Sequence, residues 1–258
     1  MIIFPMAGQS SRFKKAGYDV DKFMLEAHGR SLFAYAVGGF EALIGEEPFL
    51  FIHRGGEEVR AFIFSECARL GFAQDDYRLV ALDAPTRGQA ETVAMGLLAS
   101  GATPDSPLTI FNIDSFRPGF QYPSVKFDKD VAGYLEVFSG EGDHWSFVKP
   151  VPGTNLAQDV AEKRRISNLC STGLYYFRTV EEFNEAYSRE DQRLAENSNA
   201  SELYVAPLYN HLIDAGQKVC FHEIDPEQVI FCGIPSEYDS FLAREEVFLV
   251  PDRENLPI

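Results

Sequence analysis

The sequence predicts a three-layer α/β fold, a mostly parallel mixed sheet with helices on both faces. Three observations predict it. Through the first half, strand-sized apolar runs alternate with segments of helical apolar spacing. In the second half, shorter segments with period-two alternation take over. The 258 residues are 45% apolar with no low-complexity tract, enough to bury a full core.

Residues 2–6 form an apolar run followed by a Gly/Ser stretch, which reads as a strand leaving the core through a loop. Residues 31–43 have helical spacing behind a capping Ser31. Strands at 49–52, 78–82 and 108–113 then alternate with helices at 57–70 and 89–99. This βαβαβαβ order predicts a Rossmann-like parallel sheet with right-handed crossovers, which places ligands outside the carboxyl ends of its strands. After Asp114, strands are expected at 131–138, 145–149, 158–163 and 174–177. Helices at 179–188 and 201–215 follow, the second starting at Ser201, and then strands at 218–224 and 228–231. No Pro- or Gly-rich linker intervenes and no internal repeat is visible. The expectation is one domain over 1–258, with residues 121–245 covering the sheet and adding a substrate pocket.

The side-chain totals exclude several partners. Thirty-nine acidic residues against twenty-three basic ones give a net charge of −16, which repels nucleic acid and anionic membrane. An anionic ligand must then be held by a local pocket, which makes individual Arg and Lys positions informative. No apolar run is long enough to cross a bilayer, and the N-terminus lacks a basic region followed by an apolar stretch. Cys67, Cys170, Cys220 and Cys232 have neither Cys-x-x-Cys spacing nor a histidine cluster, as expected of reduced thiols in a cytoplasmic protein. A homo-oligomer is neither specified nor forbidden.

Two segments carry the candidate chemistry. The first is Ala7-Gly8-Gln9-Ser10-Ser11-Arg12, with Lys22 ten residues further on. Small residues leaving a buried strand expose successive N–H groups, a concavity that suits phosphate. Arg12 adds a planar fork for phosphate oxygens and Lys22 a mobile point charge. A tight turn with two solvated cations is the competing reading, and the G-x-G-x-x-G fingerprint is absent. The second segment is Asn112-Ile113-Asp114 at the end of the fourth strand. A carboxylate there can hold Mg²⁺ against phosphate, since that ion commonly uses one or two carboxylates and completes its shell with water and phosphate oxygens. Alternatively, Asp114 caps the following loop.

These segments, with Glu162-Lys163 and the run Ser171-Thr172-Gly173-Leu174-Tyr175-Tyr176-Phe177, resemble the nucleotidyltransferase family that makes nucleoside-diphosphate sugars and related activated alcohols. The resemblance implies that residues 1–120 bind nucleotide. Ala7, Gly8, Gln9, Ser10 and Ser11 would cradle the triphosphate, with Asn112 nearby. Arg12 would stabilise departing pyrophosphate, Lys22 would neutralise the α-phosphate, and Asp114 would bind Mg²⁺. Gly88, within Thr86-Arg87-Gly88-Gln89-Ala90, would let the backbone approach the base and ribose. Glu162 would touch the second substrate and Lys163 its phosphate. Thr172 and Gly173 would line that pocket, with Lys149 as an extra phosphate ligand. The competing reading of Glu162-Lys163 is a solvated pair beside Arg164 and Arg165.

The sequence departs from the family in two places. Ser10 stands where a second glycine is usual, and serine restricts the backbone there. Phe231 in Phe231-Cys232-Gly233 occupies the position of an aspartate that serves the family as a second metal ligand. Glu223 or Asp225 could substitute, or Asp114 could suffice with phosphates and water. Asp83, five residues before Gly88, is acceptor-only and favours an exocyclic amino group, a lean towards CTP; an exposed turn before Pro85 explains it equally well. The expected reaction joins a nucleoside triphosphate to a sugar 1-phosphate or other small phosphorylated acceptor, releasing pyrophosphate, for surface polysaccharide precursors. A nucleotide-sugar-dependent glycosyltransferase and a non-catalytic nucleotide-binding protein are the alternatives.

Overall fold

A computed structural model describes residues 1–196, 202–248 and 250. Strand β1 (Ile2–Met6) is almost wholly buried, as befits a central parallel strand. Helix α1 (Ser11–Lys15) follows, a single turn too short to show periodicity. The small hairpin β2 (Glu26–Ala27) and β3 (Arg30–Ser31) leads into α2 (Leu32–Gly38), where the Ser31 hydroxyl accepts from the Ala34 N–H at 3.0 Å. The expected helix to residue 43 stops at Gly38. Its successor Gly39 lies so close to the Arg117 carbonyl that a Cβ would sit 2.5 Å from that oxygen, and a short 3-10 turn at Glu41–Leu43 completes the segment.

The next elements come in the expected order: β4 (Phe49–Arg54, two residues longer than expected), α3 (Glu57–Leu70), β5 (Tyr77–Leu82), α4 (Gln89–Ser100) and β6 (Leu108–Phe111), which ends two residues short of the expected 113 and leaves Asn112 and Ile113 in the turn. Beyond β7 (Ser115–Phe116) come β8 (Val131–Ser139), β9 (Ser146–Pro150), β10 (Ala157–Glu162) and β11 (Leu169–Phe177). β11 begins five residues before the expected 174, because its register against β8 shifts between Ser171 and Tyr175 and breaks the alternation. Helix α5 (Val180–Glu196) overruns the expected 188, carried on by Glu190–Arg193 pairing along a polar stretch. Helix α6 (Leu208–Asp214) starts behind Pro207 rather than at Ser201, which lies outside the described residues. The chain then forms β12 (Lys218–Ile224), β13 (Ile230–Phe231) and the unanticipated α7 (Pro235–Leu242). Among the described residues no helix is long and apolar enough to cross a membrane.

The chain divides into two compact units. The first takes in Met1–Ile3, Thr86–Phe111 and Tyr122–Pro226. Its strands run β10-β9-β11-β6-β1, with β8 also on β11 and β12 on β8. β1 and β12 pair in parallel with β6 and β8, while β9, β10 and β11 pair antiparallel. The core closes around Tyr209, whose hydroxyl donates to the carbonyls of Tyr134 (3.1 Å) and Tyr176 (2.8 Å).

The second unit takes in Phe4–Pro85, Asn112–Gln121 and the chain from Glu227. Here β1 continues beside β4, which pairs in parallel with β5, and β7 pairs antiparallel with β13. Its core is aromatic: Phe4 packs on Phe40 and Phe51 at 5.6 Å between ring centres, and Phe116 on Phe241 at 5.1 Å. Such pairs contribute roughly 0.5–1.5 kcal/mol each beyond area burial.

Candidate functional site

In the second unit, the loop after β1 runs from buried Ala7 through exposed Gly8 and Gln9. Ser10 adopts the left-handed conformation (φ 51°, ψ 30°) for which glycine is favoured. Its hydroxyl accepts from the Lys22 N–H at 3.2 Å, so the substituting serine ties the loop to the lysine segment. Ser11 and Arg12 open α1 and are exposed, and the Arg12 side chain has no partner among the described residues. The Lys22 ammonium donates to the Asp114 carboxylate, a close and largely shielded ion pair. Asn112 lies two residues before Asp114, just past the end of β6, its carbonyl accepting from Ser115 N–H in the turn. Loop, Arg12, Lys22 and Asp114 all lie in one unit. Asp83, just past β5, is exposed and unpartnered among the described residues.

β13 brings the Phe231 segment against Asp114: Phe231 pairs with Ser115, and the Cys232 N–H donates to the Asp114 carbonyl at 2.8 Å. A Cβ on Gly233 would lie 3.1 Å from Asp114 Oδ2 and 3.6 Å from Glu237 Oε2. Glu237 is therefore the carboxylate that joins Asp114 within this unit; Glu223 and Asp225 belong to the other unit. Sequence reading missed Glu237, although Pro235 and a glutamate two residues later mark a helix start. Its carboxylate accepts from the N–H groups of Gly233 (2.8 Å) and Ile234 (3.2 Å), half of a capping box. Burial, with Glu237 and Asp114 nearby, pushes the Cys232 thiol up to about 12, so it is no nucleophile. Among the described residues no three His, Cys, Asp or Glu side chains gather as a metal site. The hard oxygens of Asp114 fit Mg²⁺ held by one protein carboxylate, with water and phosphate completing the shell.

In the first unit, the Gly88 turn (φ 150°) is fastened to Leu203: Leu203 N–H donates to the Arg87 carbonyl at 2.9 Å and Ala90 N–H to the Leu203 carbonyl at 3.0 Å. A Cβ on Gly88 would meet that oxygen at 2.4 Å, so the close approach this glycine permits here is by Leu203. Arg87 is committed to Glu91 (2.8 Å) and Asp191 (2.7 Å).

Glu162 ends β10 and accepts from the Ser146 hydroxyl; burial raises its carboxyl above the ordinary range, with the Ser146 bond opposing. Tyr175, its hydroxyl 3.4 Å from Ser146, is pushed up to about 12 by burial and by Glu162. Lys163 donates to the Tyr204 hydroxyl and lies 3.9 Å from Glu202. Glu162 thus packs on Ser146, whereas Lys163 is exposed beside Tyr204 and Glu202, and Arg165 donates to the Gly142 carbonyl at 2.6 Å. Thr172 and Gly173 form the β11 bulge, where the Thr172 hydroxyl donates to buried Glu136 at 3.2 Å. Lys149 is exposed, and strand alternation puts it on the opposite face of β9 from Ser146. The structure does not bring it to Glu162.

A sheet end that carries a loop of small residues, an arginine with no side-chain partner among the described residues and a lysine–aspartate pair has the charge and backbone groups that suit phosphate. Neither a family model nor a curated protein matches the sequence. Solved structures do. The nucleoside-diphosphate-sugar pyrophosphorylase from Vibrio cholerae is 46% identical, with 95% of this chain and 100% of that one covered and a TM-score of 0.89. The inositol-1-phosphate CTP transferase from T. maritima (17% identity, 96% and 97% covered, TM-score 0.68) and a UDP-glucose pyrophosphorylase from Acinetobacter baumanii (16%, 93% and 91%, 0.66) share the fold. At 46% identity over nearly all of both chains, the protein belongs to the sugar-phosphate nucleotidyltransferases of the NTP transferase family and is a pyrophosphate-releasing nucleotidyltransferase.

Proposed function

We propose that the enzyme joins a nucleoside triphosphate, with CTP preferred, to a sugar 1-phosphate or other small phosphorylated acceptor, supplying activated precursors for surface polysaccharide in the cytoplasm. An acceptor phosphate oxygen attacks the α-phosphorus, the bond to the bridging oxygen breaks, and pyrophosphate leaves with that oxygen. No proton need move and no covalent enzyme intermediate forms.

The observation that carries this reading is the Lys22–Asp114 pair tied through Ser10 to a loop that leads to Arg12, whose side chain has no partner among the described residues. Gly8, Gln9, Ser10 and Ser11 offer N–H groups to the triphosphate, and Arg12 suits the departing pyrophosphate. Lys22 moves from Asp114 towards the α-phosphate, where charge is spread over the phosphoryl oxygens and fixed cations act most strongly. Asp114 would hold Mg²⁺, which when bound neutralises phosphate charge. Glu162 accepts from an acceptor hydroxyl, and Lys163 takes the acceptor phosphate. Asp83 accepts from the amino group of cytosine.

The test is a pyrophosphate-release screen of four nucleoside triphosphates against a panel of phosphorylated acceptors, with and without Mg²⁺. Turnover with CTP and a phosphorylated acceptor is expected. Equal rates with all four nucleotides would remove the CTP preference, and full activity in chelator the metal.

A further inference from the structure

The ammonium of Lys163 is held by its own chain. Lys163 sits in the left-handed region (φ 51°) and its N–H donates to the Trp145 carbonyl at 2.9 Å, so the main chain sets where the side chain starts. The ammonium donates to the Tyr204 hydroxyl, lies 4.5 Å from the centre of that ring, and is 3.9 Å from the Glu202 carboxylate. The Tyr204 hydroxyl in turn donates to Glu202. Between them, Leu203 is fastened by its backbone to the Gly88 turn. Glu202 and Tyr204 therefore stand on fixed backbone, and only their side chains need turn to release the lysine. Both line a cavity of about 590 Å³ that Glu162 also lines.

A carboxylate is the protein group nearest to a phosphate in charge and oxygen geometry. This one is half exposed, as is the lysine, and such a solvent-screened pair is easily displaced. We infer that Glu202, oriented by Tyr204, is a built-in stand-in for the acceptor phosphate on Lys163 and leaves it when the acceptor arrives. The inference rests on the reading that Lys163 takes that phosphate.

Inorganic phosphate serves as the probe, titrated calorimetrically into the full chain and into Glu202→Gln, Tyr204→Phe, Lys163→Ala and the double variant Glu202→Gln/Lys163→Ala. Glu202→Gln is expected to tighten phosphate binding by about fivefold, the equivalent of an exposed ion pair. Tyr204→Phe should shift it in the same direction, and the double variant should lose the gain. A gain in affinity is a result that a damaged fold does not produce. Unchanged or weaker binding by Glu202→Gln, with Lys163→Ala weakened, overturns the stand-in and leaves Lys163 as the phosphate ligand. Unchanged binding by Lys163→Ala, or none by any protein, overturns both.

Discussion

The Ser10 hydroxyl accepts a hydrogen bond from the main-chain N–H of Lys22 across 3.2 Å, while Ser10 itself occupies left-handed backbone. That backbone costs a non-glycine residue about 1–2 kcal/mol, and the hydrogen bond returns about 1 kcal/mol. Ser10→Ala keeps the strain and loses the bond, so it should be less stable than wild type by about 1 kcal/mol in urea unfolding. Ser10→Gly relaxes the backbone and should stay within about 1 kcal/mol of wild type. Both should raise KM for the nucleotide, because Lys22 is no longer anchored to the loop. If Ser10→Gly turns over normally, the bond has no part in placing Lys22.

The Lys22 ammonium rests on Asp114, and this pairing sets a second expectation. A preorganised charge acting on the transferring phosphoryl group contributes on the order of 3 kcal/mol. Lys22→Ala should therefore lower kcat by about a hundredfold or more, with nucleotide affinity less affected. Asp114→Asn keeps the shape, removes the charge, and should raise the Mg²⁺ concentration needed for half-maximal rate. Initial rates of pyrophosphate release across a Mg²⁺ series decide both; a Lys22→Ala enzyme at normal kcat would remove the lysine from the chemistry.

How far this site was legible in the sequence depends on the link considered. Residue types at a strand exit are local information, so Ala7–Arg12 and Asp114 could be singled out. The contact between Lys22 and Asp114 spans 92 positions, and no spacing rule gives it. Strand β1 kept the predicted bounds because its apolar run is short and ends at a small-residue loop, and helix α3 because Gly56 and Gly71 close its two ends. β11 lost its first half to a bulge that breaks the two-residue alternation. Helix α7 has only Tyr238 and Phe241 buried, too thin a stripe to read, and Glu237 was missed with it. Glu202 and Tyr204 resemble ordinary surface residues until folding sets them against Lys163.

Two glycines should respond differently to one added methyl group. At Gly88 the Cβ would lie 2.4 Å from the carbonyl oxygen of Leu203, a residue held by one hydrogen bond at its oxygen and one at its N–H, at φ 150°. Gly88→Ala should destabilise by about 1–3 kcal/mol or more, visible in the urea midpoint. At Gly233 the nearest atom is the Asp114 carboxylate at 3.1 Å, a side chain that can turn. Gly233→Ala should fold with little loss yet turn over more slowly, since it is Asp114 that moves. A Gly88→Ala protein as stable as wild type would contradict the Leu203 contact.

Glu162 makes stability depend on pH. Burial raises its carboxyl above the ordinary 4.5, so the folded chain holds that proton more tightly than the unfolded chain. Where pH exceeds 4.5 the unfolded state loses the proton first, and this group's contribution to stability falls as pH rises through the folded value. Glu162→Gln removes the effect. Its stability relative to wild type should therefore be highest at neutral pH and should shrink towards pH 4, measured as urea unfolding across a pH series. A gap that is constant with pH would mean that the carboxyl is not desolvated.

Base choice is the finest expectation, and Asp83 is suited to testing it because it is exposed and has no partner within the described chain to lose. An ionised aspartate only accepts, so it rewards the amino group of cytosine and repels the carbonyl at the same place on uracil. Asparagine can present either its oxygen or its amino group. Asp83→Asn should consequently leave the urea midpoint unchanged and shift the ratio of kcat/KM for CTP over UTP towards UTP by about tenfold, the lower end of what one base contact discriminates. The shift must come from both nucleotides, CTP losing and UTP gaining. A uniform loss with all four would instead mean that Asp83 supports the turn before Pro85, and the base is read elsewhere.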